Sequence, residues 1–273
     1  MPALGRTASC ALGGLLVIAA FAVGVSHAAG AAPTSSVAVR SSLLGPPTQL
    51  SAAFLPERLG APTSIYFTVD IDPPALSVPP PLSAIDVSYP SGLGFATSGL
   101  GLASCDPARL QGGGAGACPE NSKMGAGTAV VQVVFGTEVV PEPVSLGLFA
   151  GPSPDGYLHL LILASGKAPV EARIVMTGVL LPGHLHITVP PVPGLPGAPD
   201  VALTQIRATL GGALTYYERV RGKLIAYRPR GIGLPARCPR GGWRLAASLA
   251  FSDGGVSHAR DVIACPAHRR PGK

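Results

Sequence analysis

The segment from Thr63 to Ile71, TSIYFTVDI, carries the pattern that decides the fold. Ile65, Phe67 and Val69 occupy alternate positions in it, with Tyr66 and Thr68 between them. A period of two residues places alternate side chains on one face of a β-strand. The segment therefore predicts a strand with one apolar face.

Short runs of the same kind recur between turn residues along the chain. Leu245, Ala247, Leu249 and Phe251 alternate again near the carboxyl end, and Tyr157 to Ser165 (YLHLLILAS) is an apolar run with the length of a buried strand. No segment keeps a helical period for a dozen residues. Ten or eleven short strands predict an all-β protein, an antiparallel β-sandwich.

The chain length allows one large sandwich or two small ones. We expect two Ig-like sandwich halves, residues 61–150 and 151–266, with the break in the turn from Gly151 to Gly156. Residues 29–60 are rich in Ser, Pro and Ala and predict a flexible tether. Residues 267–273 form a short basic tail.

The amino terminus has the organisation of a secretory signal peptide. Arg6 precedes the uncharged stretch from Ala11 to Val25, and Ser26, His27 and Ala28 provide a site for cleavage. This pattern predicts a signal helix over residues 1–28 and a secreted or extracytoplasmic location at the cell envelope. The alternative is an uncleaved segment that anchors the protein in a membrane, for which about 20 apolar residues are needed.

The overall composition indicates a folded chain. Of the 273 residues, 47% are hydrophobic and 12% are charged, whereas disorder requires low hydrophobicity and high charge. Glycine (36 residues) and proline (30 residues) are abundant, but they lie mainly in the tether and at the ends of the apolar runs. Composition therefore excludes a disordered chain and a coiled coil.

Four cysteines follow the signal segment, an even number that indicates disulfides in an exported chain. Three pairings are possible. Proximity in sequence favours Cys105 with Cys118 and Cys238 with Cys265, one in each predicted half. No pair has the spacing of a zinc site, and neither a metal nor another cofactor is predicted.

The sequence gives only weak signals for catalysis. His184 and His186 flank Leu185 in a strand, so both imidazoles face one side, and His159 could join them from a neighbouring strand to hold a metal. The simpler interpretation is a solvated strand face. Asp70 and Asp72 are interpreted as strand-end residues, and the proximity of Ser257, His258 and Asp261 carries almost no weight, because a triad is assembled in space.

Charge is distributed unevenly along the chain. Residues 29–200 hold 6 Lys and Arg against 11 Asp and Glu, whereas residues 201–273 hold 13 against 3. Such a basic block can attract anionic envelope polymers or phospholipid head groups, or it can serve solubility alone. Nucleic acid is not expected as a partner of an exported protein. The block consists of Arg219, Arg221, Lys223, Arg228, Arg230, Arg237, Arg240 and Arg244.

Two cysteine-containing segments carry a resemblance. Residues 118–127 read CPENSKMGAG, and residues 238–243 read CPRGGW before a later Cys265-Pro266. This series resembles a group of uncharacterised, exported actinobacterial proteins that carry a CPxxSxxGxG segment. The resemblance spans about residues 91–266. It implies a location and no activity.

The functional hypothesis from these features is an exported, disulfide-stabilised, non-catalytic β protein with a binding or structural role. The first alternative is an envelope-polymer hydrolase or metal-dependent enzyme that uses His159, His184 and His186. The second is a carrier of an apolar ligand, which requires an enclosed apolar cavity of a few hundred Å³.

Overall fold

A computed structural model describes residues 43–72, 78–95, 103–191, 201–212, 215–229 and 231–266. The predicted signal segment, the first part of the predicted tether, the tail 267–273 and Arg230 lie outside these ranges. Within them the protein is nearly all β, as predicted, with sixteen strands, one α-helix and two short 3₁₀ turns.

The elements follow one another in short steps along the chain. The α-helix, α1, spans Pro107–Gly113, and the 3₁₀ turns span Ala115–Ala117 and Glu120–Ser122. The strands are β1 Leu43–Leu44, β2 Thr48–Leu55, β3 Pro62–Ile71, β4 Leu82–Ser88, β5 Gly94–Phe95, β6 Lys123–Phe135, β7 Glu138–Ala150, β8 Leu158–Ser165, β9 Arg173–Leu181, β10 His184–Thr188, β11 Val201–Leu210, β12 Tyr216–Val220, β13 Lys223–Tyr227, β14 Ile232–Gly233, β15 Trp243–Phe251 and β16 Gly255–Ile263.

Fourteen of the strands form a single barrel-like sheet. Its central order is β16-β15-β4-β10-β9-β8-β7-β6-β11-β3, and β2 pairs with β3. Strands β2 and β16 also lie side by side, so the sheet curves back on itself. There the backbone N–H of Ala52 donates to Oδ2 of Asp261 at 2.7 Å. Every pairing within this central order is antiparallel.

The sheet order corrects the expected division into two halves. Strand β4 lies between β10 and β15, and β11 lies between β6 and β3, so strands from residues 61–150 and 151–266 alternate in one sheet. Residues 41–273 accordingly form one compact unit. Strand β2 also falls within residues 29–60, so the later part of the expected tether belongs to the sheet. The cause is long-range pairing, which local periodicity does not encode.

Alternation along the strands separates two apolar clusters. Ile65, Val69, Leu249 and Phe251 belong to the larger cluster, which lies inside the curved sheet. Leu161 and Leu163 belong to a smaller cluster on the outer face, together with Leu110 of α1 and both cysteines of the first disulfide. Strand β8 is therefore buried on both faces. This explains why residues 160–164 form an uninterrupted apolar run.

Both predicted disulfides are present. Cys105 pairs with Cys118, with their Cα atoms 5.2 Å apart, and Cys238 pairs with Cys265, with their Cα atoms 5.9 Å apart. The first fixes α1 and the following 3₁₀ turn onto β7 and β8. The second joins the loop before β15 to the end of β16.

Two glycines of β6 allow β11 to approach closely. A Cβ atom added to Gly125 or Gly127 would collide with the carbonyl oxygen of Thr209 or Arg207 on β11. Both glycines share the inner face with buried Ala129. Glycine in a strand often marks such a tight bend, where one backbone nears another. These glycines therefore permit the curvature of the sheet.

We predict that Gly127→Ala lowers the free energy of unfolding by about 1–3 kcal/mol, because the added methyl group must displace backbone. Urea denaturation with the disulfides intact measures this change. The matched control is Gly112→Ala in α1, where an added Cβ meets no atom within 4 Å. Alanine favours a helix over glycine by up to about 1 kcal/mol, so the control should be neutral or stabilising. Equal destabilisation by both changes would contradict this account.

Candidate functional site

The interior of the sheet contains an apolar cavity of about 260 Å³. Side chains from most of the central strands line it, and nearly all of them are aliphatic or aromatic. The lining includes Leu50 of β2, Phe67 of β3, Val87 of β4, Val131 of β6, Leu146 of β7 and Met176 of β9. Folded interiors rarely contain voids larger than a water molecule. A void of this size is therefore a distinct feature of the fold.

Small inward-facing residues leave this space open. Ala129, Ala164 and Ala247 line the cavity, and at each position at least one neighbouring strand carries leucine, isoleucine or valine. Gly178 also faces inward on β9, where an added Cβ would lie 3.3 Å from the side chains of Leu185 and Ile187. The inward-facing apolar residues therefore surround a space that they do not fill.

Large side chains close one end of the interior. Trp243 and Phe54 are almost completely buried and meet edge to face, with their ring centroids 6.1 Å apart. Met124 and Ile232 are buried in the same cluster. The other end is lined by Pro190 and Pro191 after β10, and by Val170 and Ala172 before β9.

A carboxylate lies in the cavity wall near this second end. Among the described residues that line the cavity, Glu142 alone carries a formal charge, and only 2% of its surface is exposed. Its Oε1 accepts a hydrogen bond from the backbone N–H of Lys167 (2.9 Å), and its Oε2 accepts one from that of Val170 (3.1 Å). The sequence analysis missed this residue. A signal was present, because Glu142 stands in the apolar phase Val140, Val144, Leu146 of β7.

The three histidines considered as a metal or catalytic site do not all come together. His184 Nε2 and His186 Nδ1 lie 3.1 and 2.7 Å from the same Oδ1 atom of Asp86 on β4. His159 instead contacts Asp155, at 2.9 Å. His159 and His186 both pair with Val179, so one strand separates them, a distance of about 9.5 Å at the usual strand spacing.

The Asp86 cluster lies on the outer face, since the alternating residues Leu185 and Ile187 face the cavity. Each of its three side chains is more than one-third exposed. In the described part of the chain, no group of three or more His, Cys, Asp or Glu side chains is arranged to hold a metal ion. The cluster therefore has the features of a hydrated surface network.

Other candidates from the sequence have separate structural roles. Asp70 accepts a hydrogen bond from Gln205 (2.6 Å), and Asp72 directly follows the end of β3. Ser257 donates to the carbonyl of Pro46, and Asp261 accepts from Ala52. The serine and the aspartate thus hold neighbouring segments of chain together.

The basic block divides into two groups. Arg219, Arg221 and Lys223 lie on the hairpin formed by β12 and β13, which is a separate two-stranded sheet. Arg228 follows it and donates to Thr215 Oγ1 at 2.7 Å. Arg237, Arg240 and Arg244 instead surround the second disulfide and the start of β15.

The hairpin also exposes apolar side chains. Leu224 is 64% exposed and Ile225 is 50% exposed, and Tyr217 and Val220 are exposed beside them. Exposed apolar residues next to cations are typical of a surface that binds a partner or a membrane. The cations were predicted from the sequence, whereas exposed Val220, Leu224 and Ile225 were not.

Two tyrosines form the base of the hairpin. Tyr216 pairs with Tyr227 across the strands, with their rings 6.4 Å apart, and Lys123 Nζ lies 5.3 Å above the Tyr216 ring. Burial, assisted by the negative charge of Glu120, raises the pKa of Tyr216 to about 12. Burial and the neighbouring Tyr216 raise the pKa of Tyr227 to about 12.

No protein-family model matches the chain, and comparisons with curated proteins and with solved structures found no match either. Within the described ranges, no helix is long and apolar enough to cross a membrane. The resemblance to exported actinobacterial proteins stays a prediction.

We predict that Tyr216 and Tyr227 ionise late when the pH of the folded protein is raised. A tyrosine in the unfolded chain ionises near pH 10, so the unfolded state loses its proton first. The stability associated with these two groups is therefore complete below about pH 10 and is lost as the pH rises towards about 12.

The ultraviolet absorbance of tyrosinate, followed against pH, checks this expectation. Tyr216→Phe and Tyr227→Phe should each remove part of the late absorbance change. Tyr157→Phe, at an exposed site away from the hairpin, should leave that change intact. Ionisation of Tyr216 and Tyr227 that is complete near pH 10 would contradict the burial described for them.

Proposed function

We propose that this protein binds a small apolar ligand inside its barrel-like sheet, as a non-catalytic protein of the cell exterior or envelope. The observation that carries the proposal is the cavity of about 260 Å³ with its apolar lining. Binding apolar surface in such a space is favourable because it removes that surface from water.

The cavity volume limits the size of the ligand. A cavity of ~150 Å³ holds benzene, and sites for drug-sized ligands run from about 300 to 1,000 Å³. The observed volume lies between these values. It suits one short alkyl chain or a compact ring system, and it is too small for a lipid with two long chains.

An exported location is part of the same proposal. The two disulfides suit an oxidising compartment, and the amino-terminal pattern of residues 1–28 supports export. A closed, cross-linked sheet around an apolar site is a suitable carrier where an apolar molecule must pass through water.

We predict that Ala164→Phe weakens ligand binding at least about tenfold, because the added ring occupies the space a ligand needs. The measurement is a titration with N-phenylnaphthylamine, whose fluorescence rises in apolar surroundings. The matched control is Ala246→Phe, which lies between the inward-facing residues Leu245 and Ala247 of β15 and faces outward.

Thermal unfolding shows that each variant has folded before binding is compared. Ala172→Phe, on the segment before β9 that pairs beside Ala164, provides a second filling variant. Equal probe binding by the wild type and both filling variants would refute the interior site. Failure of the wild type to bind the probe or any competing alkyl compound would refute the proposed function.

A second proposed function is attachment to anionic phospholipid surfaces through the hairpin Tyr216–Tyr227. The combination of Arg219, Arg221 and Lys223 with exposed Leu224 and Ile225 supports it. Cations are attracted to anionic head groups, and apolar side chains can enter the interface beneath them. The same surface could contact anionic envelope polymers, which the test separates from lipid.

We predict that changing Arg219, Arg221 and Lys223 together to Ser reduces binding to phosphatidylglycerol vesicles at least about tenfold at low salt, since each cation near such a surface contributes ~1 kcal/mol. Vesicle co-sedimentation measures the bound fraction. The matched control changes Arg237, Arg240 and Arg244 to Ser, the same loss of charge elsewhere on the surface.

Phosphatidylcholine vesicles and purified envelope polymer serve as the comparison surfaces. Binding to polymer alone would assign the hairpin to the polymer and reject the lipid surface. Equal losses from both triple changes would show that overall charge, and not the hairpin, is responsible.

A further inference from the structure

We infer that Glu142 selects ligands whose apolar chain ends in a hydrogen-bond donor, such as an alcohol or an ammonium group, over ligands that end in a carboxylate. This inference rests on the proposed function, since it concerns which ligand the interior cavity accepts.

The position of Glu142 is the first argument. It occupies an inward-facing position of β7, in phase with Val144, Leu146 and Leu148 that line the same cavity. An apolar residue would satisfy the strand pattern there. A carboxylate in that phase instead places an acceptor at the wall of an otherwise apolar space, and a few such polar groups usually fix the orientation of a ligand.

The hydrogen bonds of Glu142 leave part of its accepting capacity unused. Each carboxylate oxygen has about two acceptor positions. Oε1 receives the N–H of Lys167 and Oε2 receives the N–H of Val170, one bond to each oxygen. Each oxygen therefore retains a position for a donor on the ligand.

Among the described residues, no cation pairs with the charge of Glu142. Across the described ranges, the ion pairs involve Glu120, Asp155 and Asp86, and none involves Glu142. A buried carboxylate without a cation is unfavourable unless hydrogen bonds compensate it. A ligand donor, and above all an ammonium group, adds to the compensation that the N–H groups of Lys167 and Val170 supply.

The same geometry disfavours a carboxylate on the ligand. A second negative charge beside Glu142 would be repelled at low local dielectric, and it would find the Lys167 and Val170 amides already occupied. Gly166 also lies close to the carboxylate, because a Cβ atom added to it would collide with Oε1 of Glu142. Little room therefore remains for Glu142 to turn away from the cavity wall.

The test is a competition series at neutral pH, in which decylamine, decanol, decane and decanoate displace N-phenylnaphthylamine from the wild type. The four compounds share one chain length and differ at the head. We expect decylamine and decanol to compete at least about tenfold more strongly than decanoate, the range typical of a hydrogen bond to a charged group.

Glu142→Gln should reduce this preference to less than about threefold, because the neutral amide neither repels decanoate nor attracts the ammonium group. The matched control is Glu138→Gln, the same change at an exposed position of the same strand, which should leave the preference unchanged. Thermal unfolding of both variants accompanies the series.

The outcomes separate the two proposals. If the wild type binds all four compounds equally, or prefers decanoate, the inference is overturned while the interior binding site stands. If Glu142→Gln lowers only the unfolding temperature and keeps the wild-type ranking, Glu142 acts solely to hold residues 167–170, and the inference is again overturned. If neither the probe nor any compound binds, the proposed function itself fails.

Discussion

The hydrogen bond from the backbone of Ala52 to the carboxylate of Asp261 lies where the two ends of the sheet meet. Strands β2 and β16 lie side by side there. Oδ2 of Asp261 accepts the hydrogen bond that a backbone carbonyl of a neighbouring strand would otherwise accept. Asp261 also accepts from the N–H of Val262 through its other oxygen. Closure gives the sheet an inside. Without it, the apolar faces of β2 and β3 would meet water, and the fold would need a second sheet to cover them.

A closed sheet places opposite demands on its inner and outer faces. Inside, the alternating apolar residues are long enough to exclude water at the Trp243 end and short enough in the middle to leave a cavity. Outside, most strands face solvent with polar residues such as Asp86, His184 and His186. Strands β7 and β8 differ, because α1 and the first disulfide cover Phe149, Leu161 and Leu163. The hydrophobic composition of the chain reflects these two separate apolar surfaces.

Local sequence features predicted the elements well and their arrangement less well. The period of two in Thr63 to Ile71 and in residues 245–251 corresponds to β3 and β15, and proximity in sequence found both disulfides. The alternation of strands from both predicted halves depends on distant pairs, such as Asp86 with His186, which are 100 residues apart, and no local pattern specifies such pairs. For the site, the inward-facing residues of β3 were recognisable, whereas Glu142 required attention to a charge in an apolar phase.

The CPxxSxxGxG segment acquires a physical meaning. Its cysteine is cross-linked, its buried Ser122 donates to the carbonyl of Pro119, and its two glycines allow β11 to approach closely.

The position of the closing bond has a consequence for how the chain folds. Ala52 and Asp261 are 209 residues apart in sequence, whereas the disulfides span only 13 and 27 residues. The cross-links can therefore form within local segments, but they do little to shorten the loop that closure must complete. Folds dominated by such distant pairings fold slowly, because chain entropy is lost before the contacts that offset it are made. The interior closes only when β16 has joined the sheet beside β2, so the cavity is among the final parts of the molecule to form.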